Sequence, residues 1–123
     1  MFFKVDRNSG KPVFEQIKSK IKDMIMSGKL SQGDLLPSVR NLANILGVNV
    51  NTVARAYREL ELEGVVEGRW GYGYTVKDKP DYERWLREKR EEFERMVRNF
   101  IEAGLSIEIL EKWLRNAGRG EDA

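Results

Sequence analysis

Asn49, Asn51, Thr52 and Arg55 place four hydrogen-bonding side chains within seven residues. An asparagine amide matches the donor and acceptor on an adenine edge, and a guanidinium matches the two acceptors of guanine. Asn51 and Arg55 are four apart and Arg58 continues the row, so a helix through them turns one polar face outward. Such a face, at the start of a helix, can read bases in a major groove. Two roles stand open for Asn49, capping that helix or touching DNA. Val50 also has two, a thymine methyl in the groove or a place in the core. Upstream, Ser38 offers a hydroxyl and a backbone N–H suited to phosphate. Downstream, Arg69-Trp70-Gly71-Tyr72-Gly73 combines a cation and aromatics with glycines that permit close backbone approach. Arg69, Gly71 and Tyr72 are therefore expected along the sugar-phosphate backbone or in the minor groove, with Trp70 packed on the domain body.

Other chemistries are excluded by composition. The 123 residues contain no Cys and no His. Disulfides, a thiol nucleophile, a Ser-His-Asp triad and thiolate or imidazole zinc sites are therefore absent. No metal site and no cofactor is expected. Acidic neighbours such as Glu61 with Glu63, or Glu91 with Glu94, lie among basic residues without a pocket-forming signal, so the chain is expected not to be an enzyme. No stretch reaches the roughly 18 to 20 continuous apolar residues of a membrane helix. Residues 1–10 are too short and too polar for a signal peptide. The expected location is the cytoplasm, with no membrane partner.

The elements that must hold the polar row follow from periodicity. After an FFKVD strand or arm, Pro12 opens a helix whose apolar positions are Phe14, Ile17, Ile21, Met24 and Ile25, closed by Gly28. The segment KLSQGDLL reads as a loop. Ser38 is the N-cap of a second helix bearing Val39, Leu42, Ala43 and Leu46, and Gly47 stops it. Asn49 starts a third, from Val50 to Glu63, with Val53, Ala56, Tyr57 and Leu60 inward and Gly64 at its end. Small Ala43 and Gly47 allow the close approach and sharp turn of a helix-turn-helix. Two β-prone runs, Val65–Arg69 and Tyr74–Lys77, then flank a glycine-rich turn, which makes a hairpin. Three helices followed by a hairpin is the order of a winged helix-turn-helix.

The residues that carry this pattern resemble the GntR family of bacterial transcription regulators. They are Gly28, Leu30, Gly33 and Asp34; Leu36-Pro37-Ser38-Val39-Arg40; Asn51-Thr52-Val53 with Ala56-Tyr57; and Gly71-Tyr72-Gly73. The resemblance covers about residues 12 to 76, and the short helical tail is similar to the YtrA-like subgroup. It implies sequence-specific binding of double-stranded DNA by a transcription regulator. Arg40 matches an arginine that contacts DNA in the family. Val50 departs from the Arg or Pro often found there, which puts a family-based operator in doubt. Residues 78–123 are too few for the effector domain of larger members, and no spacing identifies an effector.

Residues 1–77 hold 12 Lys and Arg against 8 Asp and Glu, whereas residues 78–123 hold 10 against 12. A basic DNA-binding domain over 1–77 followed by a helical dimerisation segment over 78–123 fits that contrast. The fold class expected is mainly α with a small β-hairpin: a winged helix-turn-helix followed by two short helices. In the tail, Phe93, Met96, Val97, Phe100 and Ile101 form too broad an apolar stripe for one exposed helix. A last helix capped by Ser106 and carrying Leu110, Trp113 and Leu114 covers only part of it. A homodimer through these residues would bury the rest and present two reading heads to an inverted repeat; the alternative is packing of the stripe against the protomer's own winged domain. The function expected is that of a repressor, whose occupancy of an operator blocks polymerase. The rival is a winged helix used for protein contacts without specific DNA binding.

Overall fold

A computed structural model describes residues 3–69 and 73–120. The chain divides into two compact units, residues 1–81 and 82–123. The first extends past Lys77 because the Lys77 and Asp78 N–H groups both donate to the Val65 carbonyl, and Pro80 is buried.

The first unit is built on three helices. Pro12 is the N-cap residue of α1 (Val13–Met26), where a missing N–H costs nothing, and its carbonyl accepts the Gln16 N–H. Ile17, Ile21 and Ile25 recur every four residues and are buried, whereas Phe14 and Met24 are half-buried. Ser38 caps α2 (Val39–Leu46), its hydroxyl accepting the Asn41 N–H at 3.0 Å. Gly47 ends that helix at φ +68°, a left-handed conformation that side-chain-bearing residues rarely adopt. Asn49 caps α3 (Val50–Leu62), its Oδ1 accepting the Asn51 N–H at 2.7 Å. Val53, Ala56, Tyr57 and Leu60 all face inward and are fully buried. They meet the α1 isoleucines and Leu42 in one core, each large aliphatic side chain contributing roughly 1.5–3 kcal/mol by leaving water.

The hairpin pairs β1 (Val66–Arg69) with β2 (Gly73–Val76), in antiparallel register from Val66 opposite Val76 to Arg69 opposite Gly73. Val65, Val66 and Val76 close the core from this side. The segment read as a loop before α2 is in fact paired to the outer edge of β2. Leu35 bridges Thr75, and backbone bonds join Gly33 to Val76, Val76 to Asp34 and Leu36 to Tyr74 at 2.8–2.9 Å. The wing is thereby tied to the chain entering α2.

The N-terminal segment is an arm without regular structure. Gln16 holds it, accepting the Asp6 N–H and donating to the Asp6 and Lys11 carbonyls and the Ser9 hydroxyl. Phe3 and Val5 pack on the core, and Arg7 donates to the Gly47 carbonyl in the turn between α2 and α3.

The second unit contains α4 (Tyr82–Glu102) and α5 (Ile107–Gly118). Gly104, at φ +97°, turns the chain between them. The Ser106 hydroxyl caps α5 by accepting the Ile109 N–H at 3.2 Å. Neither helix buries a residue completely.

Candidate nucleic-acid interface

The helix-turn-helix fixes the polar row through its buried side. With Val53, Ala56, Tyr57 and Leu60 inward, 3.6-residue spacing turns Asn51, Arg55 and Arg58 outward, and all three are exposed. Thr52 sits half-buried at the flank. Asn49 is exposed and serves as a cap through Oδ1, which leaves the donors of its amide N–H₂ unused by the cap. Val50, for which two places stood open, is 44% exposed and lies outside the core cluster.

Ser38 and Arg40 stand at the start of α2. The Ser38 hydroxyl is occupied as acceptor by the cap but retains its own proton to donate. Arg40 is exposed, and no hydrogen bond or ion pair engages it among the described residues. The start of α2 is joined to the middle of α3 by the buried Tyr57, whose hydroxyl donates to the Pro37 carbonyl at 2.6 Å. Burial, helped by the neighbouring Tyr74, pushes the Tyr57 phenol well above its ordinary value, so it remains a neutral donor. On the wing, Arg69 is exposed at the end of β1, 3.7 Å from Glu67. Trp70, Gly71 and Tyr72, expected at the wing tip, lie outside the described residues. Glu61 ties α3 to the wing by accepting the Gly68 N–H at 2.8 Å.

A charge ladder between α1 and α3 went unread in the sequence. Lys18 contacts Glu59 at 3.0 Å and Glu63 at 2.8 Å, and Lys22 contacts Glu63 at 2.5 Å. Lys22 is only 8% exposed, so the ladder is part of the helix interface and not solvated decoration. Burial alone would raise the Glu63 carboxyl, but the hydrogen bonds from Lys18 and Lys22 outweigh it and hold Glu63 below the usual carboxylate range. Burial likewise opposes the charge on Lys18, yet its bonds to Glu63 and Glu59 keep its ammonium above the usual lysine value. Glu59 is held low by hydrogen bonds from Lys18 and Arg55. Arg55 ends the ladder: its Nε meets Glu59 Oε2 at 3.0 Å, and its guanidinium lies over the Phe14 ring, 3.6 Å from the centroid. The matching signal is a pair of i,i+4 spacings, two lysines at the edge of the α1 stripe and two glutamates at the edge of the α3 stripe.

In the second unit, Phe93, Met96, Val97 and Phe100 of α4 face Ile107, Leu110, Trp113 and Leu114 of α5 across an open groove of about 320 Å³. Phe100 and Trp113 meet edge to face with centroids 6.4 Å apart. Ile101, expected with this group, is exposed but does not line the groove. No cluster of acidic groups able to hold a metal occurs among the described residues, and no helix among them is long and apolar enough to cross a membrane.

Three helices with a left-handed glycine in the turn, followed by a hairpin wing, define a winged helix-turn-helix of the DNA-binding regulator class. Comparison with known proteins places the chain within that class. Residues 14–76 match the family described as "Bacterial regulatory proteins, gntR family". The HTH-type transcriptional repressor YtrA of Bacillus subtilis (strain 168) is 34% identical over 114 residues, covering 90% of this chain and 88% of that protein. The solved structure of YtrA from Sulfolobus acidocaldarius, a GntR-family transcription factor, is 36% identical with a TM-score of 0.61, covering 79% of this chain and 98% of that one. The AraR DNA-binding domain, solved in complex with operator ORE1, is 25% identical with a TM-score of 0.53, covering 58% of this chain and 88% of that one. The chain belongs to the gntR family of bacterial regulatory proteins, with relatives of the YtrA type spanning most of its length. It is a DNA-binding transcriptional regulator and not an enzyme.

Proposed function

We propose that this regulator is a homodimeric repressor that binds an inverted-repeat operator in the cytoplasm. The observation that carries the reading is the exposed polar start of α3 together with an exposed Arg40 that no hydrogen bond or ion pair engages among the described residues. In this reading α3 enters the major groove, where Asn49, Val50, Asn51, Thr52 and Arg55 face base edges and Val50 suits a thymine methyl. Ser38 and Arg40 hold phosphates at the start of α2, and Arg69, Gly71 and Tyr72 follow the backbone from the wing. The 1–77 segment serves DNA and the 78–123 segment serves dimerisation.

Support for a second copy as the occupant of the groove comes from the apolar residues that line it. Phe93, Met96, Phe100, Trp113 and Leu114 remain exposed within their own unit, together with Ile101. A two-fold pairing of two such helix pairs buries self-complementary apolar faces, and adds a second reading helix about one DNA turn away. A repressor name on the YtrA relative supports the direction of regulation. Arg40→Ala is the direct test. Affinity for the operator should fall while the circular dichroism spectrum and unfolding midpoint stay unchanged. The salt dependence should become shallower by about one counterion. Undiminished operator affinity in a folded variant would overturn the assignment, and salt-insensitive self-assembly without duplex affinity would favour a protein-interaction module.

A further inference from the structure

The position of Arg55 in the polar row is set by side chains from two helices. Glu59, one turn further along α3, takes its Nε–H through Oε2, and Phe14 of α1 supports the flat face of the guanidinium. Lys18 holds the other oxygen of Glu59 at 3.0 Å, so the carboxylate that grips Arg55 is itself gripped from α1. Among the described residues, the two outer nitrogens of Arg55 have no hydrogen-bond partner. Those outer nitrogens carry four of the five guanidinium donors and form the fork that fits guanine O6 and N7 end-on. The side chain is 57% exposed, so the fork is open to solvent. A long side chain normally loses rotamer freedom when it meets a base; here that ordering is done beforehand by Phe14 and Glu59.

We propose that Phe14 and Glu59 are positioning residues for base readout, which preset the Arg55 guanidinium so that its outer fork discriminates one base pair per half-site. The inference rests on the reading of α3 as the base-reading helix. It gives two side chains that need not touch DNA a share in sequence preference. A residue in the first turn of α1 thereby becomes part of the specificity of α3.

The test uses the full chain. An operator selected by the wild-type protein is compared with duplexes carrying each single base-pair change, for wild type, Arg55→Ala, Glu59→Gln, Phe14→Leu and Arg55→Ala combined with Glu59→Gln. Unfolding midpoints are recorded for every variant. Removing a carboxylate strengthens attraction to all DNA, so the readout is the ratio of affinities between duplexes and not affinity itself. Phe14→Leu carries no charge change and controls for that effect. Arg55→Ala should lose about tenfold or more discrimination at one base pair. Glu59→Gln and Phe14→Leu should each lose about 2- to 10-fold at that same pair and nowhere else. The double variant should be no worse than Arg55→Ala alone, because the supports act only through the arginine. Uniform weakening on every duplex with a lowered unfolding midpoint would show a merely structural clamp and overturn the proposal. Retained preference in both support variants, while Arg55→Ala loses it, would overturn the positioning role but leave Arg55 as a reader. Unchanged preferences in Arg55→Ala would remove the reader and the proposal together. Absence of any selected operator would refute the reading of α3 itself.

Discussion

Tyr57→Phe removes one atom at the joint of the helix-turn-helix. The ring is 0% exposed, and it packs edge to face against Tyr74 with centroids 5.0 Å apart, a contact that phenylalanine retains. What disappears is the hydroxyl donated to the Pro37 carbonyl at 2.6 Å, one residue before the α2 cap. A hydrogen bond of this kind contributes about 0.5–1.5 kcal/mol net, and a buried orphaned carbonyl costs about 1–3 kcal/mol. Pro37 is half-buried, so water recovers part of the loss, and a destabilisation of about 1–2 kcal/mol is expected. For a unit of this size that lowers the unfolding midpoint by roughly 4–16 °C. The alkaline limb gives an independent signature. Burial raises the folded phenol above its unfolded value of 10.0. Above that value the unfolded chain releases the proton while the folded chain keeps it, so this tyrosine's contribution is complete below pH 10 and falls as pH rises. The limiting slope is ~1.4 kcal/mol per pH unit. Urea unfolding of both proteins at pH 7 and across pH 10–11 should show wild type ahead at neutral pH and the gap narrowing above pH 10. Equal stabilities at pH 7 with parallel alkaline limbs would refute the assigned role of the hydroxyl.

Three further outcomes are expected. Lys18→Met should cost on the order of 1 kcal/mol at pH 7 in chemical unfolding, since Glu63 keeps only Lys22. Because Glu59 and Glu63 sit below the carboxylate reference in the folded state, their stabilisation is present above it and lost as pH falls; the gap to wild type should therefore close on acidification, and a constant gap down to pH 2 would contradict the ladder. Gly47→Ala should destabilise by about 1–2 kcal/mol through its positive φ and not through a clash, since the nearest atom to an added Cβ is the end of Arg7 at 3.6 Å; thermal unfolding checks the cost, and a neutral result would contradict the left-handed turn. With the groove occupied by a second copy as proposed, Phe100→Glu should lower the mass in light scattering from that of a dimer to that of a monomer while the winged unit keeps its own unfolding transition; an unchanged mass would show that the groove is not the interface.

The helices were readable because their ends are written in side-chain chemistry. Ser38, Asn49 and Ser106 each accept a backbone N–H at the position where the apolar period begins, and Gly47 takes the left-handed conformation where it stops. The inward residues of α3 followed from period alone. What escaped depends on partners far apart in the chain. Leu35 pairs with Thr75 across 40 positions in a single bridge, too short to leave any alternation in the sequence. Lys18 and Lys22 look like solvated residues until Glu59 and Glu63, 41 positions later, are placed beside them. Arg55 belongs to the outward row as its spacing requires, but its seat on Phe14 depends on the packing of α1 against α3. The same holds for Arg7, which reaches the Gly47 carbonyl 40 positions away.

The most direct measurement is selection from a random duplex library by the 123-residue chain at near-physiological salt, followed by sequencing of the bound pool. A two-fold reader built on α3 should enrich a short inverted repeat with half-sites about one helical turn apart. Enrichment of a single unpaired half-site would contradict the dimer, and no enrichment at all would contradict specific DNA binding by this chain.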